Sequence, residues 1–381
     1  MAIKISNRSN IAPFYVMEVM RSAAERESTG KEVLHLEVGQ PSTPAPLEAR
    51  QNAIKAIEEE ILGYTSAMGM EPLRERLSLH YLEWYKTEIP PSRIGITMGA
   101  SGAFTLAFLA CFESGDRVAV PTPGYPCYRN VLRALDVEVV DLPVGPETRF
   151  QPSPEGLESL GPIDGLVVAS PSNPTGTMLL ENELLEIVNW CQANEVRLIS
   201  DEIYHGVTYG TAAPTAASFW EEAVVVNSFS KYFSMTGWRV GWLVLPDTLV
   251  APVERLAQNA FIAAASVSQH AALGAFDSHD ELEINLDRYR TNRQILLEGL
   301  PSVGIGKLAP ADGAFYIWAQ VDHLCDDSQA LAQQWLSELG IAVTPGIDFD
   351  PSEGHRFIRF SFAGSTREAL ETIEKLSNWS A

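Results

Sequence analysis

The segment Ser228-Phe229-Ser230-Lys231 closes the apolar run Val224–Asn227 and sets an amine among hydroxyls and aromatic rings. An amine partly withdrawn from water, with other cations nearby, loses basicity and becomes a nucleophile toward carbonyls. Shortly after it, Arg239 carries a permanent charge suited to a phosphate. Asp201-Glu202 end the apolar run Arg197–Ser200, where a charge has to be paired or solvated, or else caps a helical turn. Ser170-Pro171-Ser172-Asn173-Pro174-Thr175-Gly176 is dense in turn formers directly after another apolar run, and alone it reads as a simple turn. Gly99-Ala100-Ser101-Gly102-Ala103 joins a strand pattern to a helix pattern, and side chains this small let backbone N–H groups approach an anion. Arg359 is a single charge inside Phe357-Ile358-Arg359-Phe360-Ser361. A buried arginine wants a carboxylate, either a ligand's or a structural partner's.

The periodicity predicts strands at Val33–Val38, Ile94–Met98, Arg117–Val120, Glu138–Leu142, Gly165–Ser170, Arg197–Asp201, Ala223–Asn227 and Val240–Leu245. Helices are predicted at Leu47–Glu60, Pro72–Tyr85, Gly102–Cys111, Tyr125–Ala134 and Glu181–Asn194. Such alternation means βαβ units and an α/β fold with a mostly parallel sheet. One long helix, Leu282–Gly299, leads into a second unit with strands near Phe315–Trp318 and Phe357–Phe362 and helices near Ser328–Leu339 and Thr366–Asn378. Ligands of open α/β sheets sit beyond the carboxyl ends of the strands, where most of the segments above fall.

The chain has 381 residues, 46% hydrophobic and 20% charged, which fits a folded protein with a sizeable core. Its net charge of −22 argues against nucleic acid and against an anionic membrane surface as partner. No apolar run is long enough to span a bilayer, and the polar start Met1–Asn10 lacks the apolar core of a secretory signal. The four cysteines, Cys111, Cys127, Cys191 and Cys325, lie far apart and read as reduced thiols of a cytoplasmic protein. The seven histidines show no close pairing, so no metal is expected.

Taken together, S-P-S-N-P-T-G at 170–176, D-E-I-Y at 201–204 and S-F-S-K-Y-F-S-M-T-G-W-R-V-G-W at 228–242 closely resemble the fold-type I pyridoxal-phosphate (PLP) enzymes. Within these, the chain is similar to the class I/II aminotransferases from about Ile11 to Arg359. The resemblance implies a large domain with a seven-stranded, mostly parallel sheet between helices, in which the strand near Val240–Leu245 is antiparallel. It also implies a smaller α/β domain made from both chain ends. The expected division is an N-terminal arm and part of the small domain at 1–38, a PLP-binding domain at 39–281 and a small domain at 282–381. By the same resemblance, Lys231 holds PLP as a Schiff base and moves a proton as a free amine. Asp201 faces the pyridine nitrogen, Tyr204 and Asn173 meet the 3′-oxygen, and Tyr125 stacks on the ring. The phosphate is implied to lie against Ala100, Ser101, Gly102, Ser228, Ser230 and Arg239, with Tyr64 arriving from the partner subunit of a homodimer that shares its active sites. Arg359 and the backbone of Gly39 are implied to hold the substrate carboxylate, with Asn173 beside them. Phe14 and Tyr15 are candidates for lining the pocket or for plain packing.

The implied reaction is ping-pong transamination of an L-amino acid and a 2-oxo acid. A C–S lyase or decarboxylase on the same scaffold is the alternative. Some aspartate-specific members of the family it resembles carry a lysine in this loop for the distal carboxylate; Gly99–Ala103 holds no cation, so the resemblance implies a neutral or aromatic donor over an aspartate-type one. His205, next to Tyr204, reads as a supporting or surface residue before a catalytic one.

Overall fold

The computed structural model describes residues 3–379. Its strands are β1 (Leu34–His35), β2 (Ile94–Thr97), β3 (Arg117–Thr122), β4 (Glu138–Pro143), β5 (Gly165–Ala169), β6 (Arg197–Asp201), β7 (Val224–Ser228), β8 (Gly241–Val244), β9 (Tyr316–Gln320), β10 (Ile341–Ala342), β11 (Thr344–Pro345) and β12 (Phe357–Ser361). Seven of them form one sheet in the order β2-β8-β7-β6-β5-β3-β4. β8 runs antiparallel to both neighbours, and the other pairs are parallel. The central strands read Gly-Leu-Val-Val-Ala, Arg-Leu-Ile-Ser-Asp and Val-Val-Val-Asn-Ser, nearly all buried, as strands covered on both faces by helices must be.

β11-β12-β9 make a smaller antiparallel sheet, and β1 pairs in parallel with β10. The helix His279–Ser302 links the two parts and packs on the Thr366–Ser377 helix. The latter begins at Ser365 with a reciprocal cap, Ser365 Oγ to the Glu368 N–H and the Glu368 carboxylate to the Ser365 N–H.

Most predicted elements form within a few residues of their expected bounds. Val33–Val38 shortens to two ladder residues because its partner β10 is only two residues long. Two helices, Asp247–Ala260 and Ser266–Ala275, were not legible in the pattern. The first contains Pro252 and the second is rich in Ala, Ser and Gly, compositions that read as punctuation. Residues Tyr15–Ser28 form a full helix that lies against β10 and β11.

Candidate active site

A cavity of about 640 Å³ opens at the carboxyl ends of β5, β6 and β7. Among the residues expected to act, Gly39, Ala100, Ser101, Tyr125, Asn173, Asp201, Tyr204, Ser230, Lys231, Arg239 and Arg359 all line it. Residues more than 300 positions apart are thus brought to one space.

Lys231 follows β7 and donates from Nζ to the Gly39 carbonyl at 2.6 Å. Its pKa is lowered to about 8, first by burial and then by the Arg359 charge, with Asp201 opposing and Arg239 assisting. Asp201 ends β6 with its carboxylate enclosed; Tyr128 donates to one oxygen and the Ile203 N–H to the other at 3.1 Å. The second bond is the turn-capping role weighed for this residue. Burial raises the Asp201 pKa to about 6 against those bonds and the Lys231 charge.

Arg239 lies against the first turn of the Gly99–Cys111 helix. A Cβ added at Gly99, whose φ is +69°, would come within 2.6 Å of Arg239 Nη2. Only glycine accommodates both that φ and that approach. Arg239 forms no ion pair among the described residues; its Nη1 donates to the Thr236 carbonyl at 2.8 Å. An unpaired guanidinium facing a helix N-terminus is an arrangement that calls for an anion.

Arg359, on β12, is buried between the rings of Tyr316 and Phe349, 4.4 and 4.7 Å from its guanidinium carbon. It donates to Asn173 Oδ1 at 2.8 Å, to Thr344 Oγ1 at 3.1 Å and to the Glu37 carbonyl, while its buried Nε has no hydrogen-bond partner among the described residues. No carboxylate side chain contacts it among the described residues, so the structural ion-pair alternative is not realised.

The remaining expectations are placed differently. Ser228 is buried beneath the cavity rather than lining it; its hydroxyl donates to the Val240 carbonyl at 3.0 Å and meets Ser230 Oγ at 2.9 Å. Gly102 is buried one turn into its helix, outside the lining. The Asn173 oxygen is engaged by Arg359. Tyr64 is 85% exposed and outside the cavity of its own chain. Phe14 stacks on Tyr125 at 6.0 Å from outside, and it is Val16 and Met17 that reach the cavity in place of Phe14 and Tyr15.

Sequence reasoning missed Tyr316, whose hydroxyl bonds that of Tyr204 at 2.7 Å, and Tyr128 on Asp201. An aromatic residue in an apolar strand or helix reads as core, and here it is both. His205 is buried behind the site. Its Nε2 bonds the Ser170 carbonyl at 3.0 Å and its Nδ1 the Tyr85 hydroxyl at 2.8 Å. Burial lowers its pKa to about 3, so it is neutral, with Nε2 protonated and Nδ1 accepting.

The family profile for aminotransferase class I and II matches residues 31–375. The chain belongs to this family. It is 46% identical over 385 aligned positions, 100% of this chain and 99% of the other, to valine–pyruvate aminotransferase of Mycobacterium tuberculosis. It is 34% identical, over 97% of each chain, to (5-formylfuran-3-yl)methyl phosphate transaminase of Methanocaldococcus jannaschii. A crystal structure of a putative aminotransferase from Silicibacter pomeroyi superposes with a TM-score of 0.94 at 49% identity, covering 99% of both chains. The protein is therefore an aminotransferase of this PLP-dependent family, on its α/β fold.

The lining fits PLP. An unpaired arginine and a helix N-terminus suit a phosphate, and an enclosed carboxylate suits a protonated ring nitrogen. The same cavity holds an amine of lowered pKa, suited to an aldehyde.

Proposed function

We propose that this aminotransferase takes neutral aliphatic or aromatic L-amino acids and returns the amine to a small 2-oxo acid such as pyruvate. The observation that carries the reading is the convergence of Lys231, Asp201, Arg239 and Arg359 on one cavity. Bound PLP supplies an electron-withdrawing ring that stabilises charge developing at an amino acid's Cα. Lys231, Ser230, Arg239 and the 100–101 backbone would hold it, with Asp201 to serve the ring nitrogen, Tyr204 the 3′-oxygen and Tyr125 the ring face. Arg359 would bind the substrate carboxylate through its guanidinium, beside Gly39 and Asn173. That grip would turn the Cα–H toward the Lys231 amine, which would take the proton from Cα and deliver it to the cofactor's C4′ carbon.

The donor class is supported by the lining. Its cations are Lys231, Arg239 and Arg359, each already assigned, while Val16, Met17, Val38 and Ile203 are apolar. The name of the mycobacterial relative points the same way. The test is to add alanine, valine, methionine, phenylalanine and aspartate singly, with no oxo acid present. One equivalent of oxo acid per site, with a matching change in the cofactor's absorption, supports the reading. Continuous release of pyruvate and ammonia would replace it with a lyase, and a strong aspartate preference would sink the donor class.

The proposed domain division is 39–281 for the large domain, with 1–38 and 282–381 contributing to the small one. We also propose a homodimer in which Tyr64 completes the partner's phosphate site. Support comes from the exposure of Ile54, Ile57, Ile61 and Tyr64 on one stretch of chain, at 56, 61, 98 and 85%. Light scattering giving a single-chain mass would overturn it. The four thiols form no disulfide, which supports a cytoplasmic location, and no helix among the described residues is long and apolar enough to cross a membrane.

A further inference from the structure

The helix Tyr15–Ser28 begins without a cap of its own. Phe14 occupies the capping position and has no side-chain oxygen to offer. The first-turn donors are taken instead from across the molecule. Asp348 Oδ1 accepts from the Tyr15 N–H at 3.1 Å and Oδ2 from the Val16 N–H at 3.2 Å. Asp348 is buried, 8% exposed; burial raises its carboxyl pKa, and these two bonds and the nearby Arg359 charge oppose that shift.

Asp348 belongs to a turn with two further attachments. The next residue, Phe349, lays its ring 4.7 Å from the Arg359 guanidinium carbon. The Phe349 carbonyl accepts from the Gly124 N–H at 3.1 Å, directly before Tyr125. One short turn therefore joins the carboxylate-binding arginine, the loop carrying Tyr125, and the helix whose first turn puts Val16 and Met17 into the cavity.

We propose that Asp348 is a positioning residue for substrate selection: by capping the Tyr15–Ser28 helix it holds Val16 and Met17 as the wall that packs against the amino acid's side chain. This rests on the reading of the cavity as an amino acid site with Arg359 at the carboxylate. The wall and the carboxylate grip share one support, so the distance between them, and with it the side-chain length that fits, is set by Asp348. Alanine ends at Cβ and gains little from that wall. A branched or longer apolar side chain fills the space beside it.

The experiment uses PLP-loaded D348N and D348A, with kcat and KM measured for alanine, valine, leucine and methionine. Asparagine keeps the size and one acceptor, so D348N retains fold and part of the cap. The kcat/KM ratio of leucine or valine to alanine is expected to fall roughly tenfold in D348A, mostly through KM, and less in D348N, since a contact of about one or two methylenes is worth about that much. M17A should lower the same ratio without touching the cap. An equal loss for every donor, alanine included, would mean that Asp348 is merely structural and would overturn the proposal. Amide hydrogen exchange gives a readout independent of turnover. The Tyr15–Met17 amides should exchange faster in both Asp348 variants while those of β12 stay protected. Unchanged exchange at Tyr15–Met17 would overturn the cap even if kinetics shifted. Should the wild type process none of these donors, the functional reading fails, and the exchange measurement still decides whether Asp348 holds the helix.

Discussion

The amine of Lys231 and the carbonyl of Gly39 are joined by a 2.6 Å hydrogen bond, and two residues earlier the Glu37 carbonyl accepts from Arg359. The same short stretch of backbone thus sets the lysine proposed to move the proton and the arginine proposed to grip the carboxylate. It also explains the glycine. A Cβ on residue 39 would lie 1.8 Å from the Tyr316 hydroxyl, where side-chain oxygen already stands.

Gly39→Ala is therefore expected to push Tyr316 aside and break its bond to Tyr204. Displacing active-site groups by about 1 Å can cost roughly 100-fold in rate, so kcat/KM should fall by about that factor. Activity within a factor of about two of wild type would show that the Tyr204–Tyr316 pair has no part in the chemistry.

The residues that were legible in the sequence share one property. Lys231, Asp201, Arg239 and Arg359 are charges placed inside or at the ends of apolar runs, where burial without a function is costly. The strand ends were readable for the same reason, since β5, β6 and β7 are short, β-branched and bounded by turn residues. Tyr316, Tyr128, Val16 and Met17 carried no such mark. Their roles depend on which surface the chain presses them against, and that is a tertiary fact. Ser228 shows the converse. It stands in a motif that points to phosphate, yet its hydroxyl is turned inward to Val240 and Ser230.

The lowered basicity of Lys231 gives a pH test. A neutral amine is the form that attacks an aldehyde, so PLP uptake by the cofactor-free protein should rise with pH around a midpoint near 8, well below the ordinary lysine value. Arg359 is the largest charge contribution holding that midpoint down, so Arg359→Ala should move it upward. Asp201 acts in the opposite sense, and Asp201→Asn should move it down. Stopped-flow absorbance follows uptake directly. A midpoint that ignores both substitutions would detach Lys231 from these two charges.

Arg359→Lys keeps the charge but loses the planar fork, with its bonds to Asn173, Thr344 and Glu37. Breaking a buried, hydrogen-bonded charge contact costs about 2–5 kcal/mol, so KM for both amino acid and oxo acid should rise by a factor between roughly 30 and 5,000. PLP content, measured by absorbance, should be retained. A variant that loses cofactor instead would place Arg359 at the cofactor rather than at the substrate.

Behind the site, Glu202 and His205 titrate in opposite directions. Glu202 is fully enclosed; Ser200 Oγ and the Ala216 N–H donate to Oε1, while Oε2 has no hydrogen-bond partner and lies 3.5 Å from His205 Nδ1. Burial raises its pKa from 4.5 to about 8. The folded protein then holds a proton that the unfolded chain releases, so this group's contribution to stability is present at low pH and is lost as pH rises through about 8. His205 is shifted down, from 6.5 to about 3, so folding is opposed below 6.5 by the proton that the unfolded chain takes up. Glu202→Gln keeps the Oε1 acceptor and cannot ionise. Its melting temperature should decline less than that of the wild type between about pH 5 and 8, since the linked proton is gone. His205→Gln should instead lessen the loss of stability on the acid side. It should leave the pH–rate profile between about pH 5 and 8 without a missing limb, because a histidine already neutral there contributes none. Parallel melting curves for Glu202→Gln and wild type across that range would show that Glu202 is ionised in the folded protein, paired with a cation or with water in place of its proton.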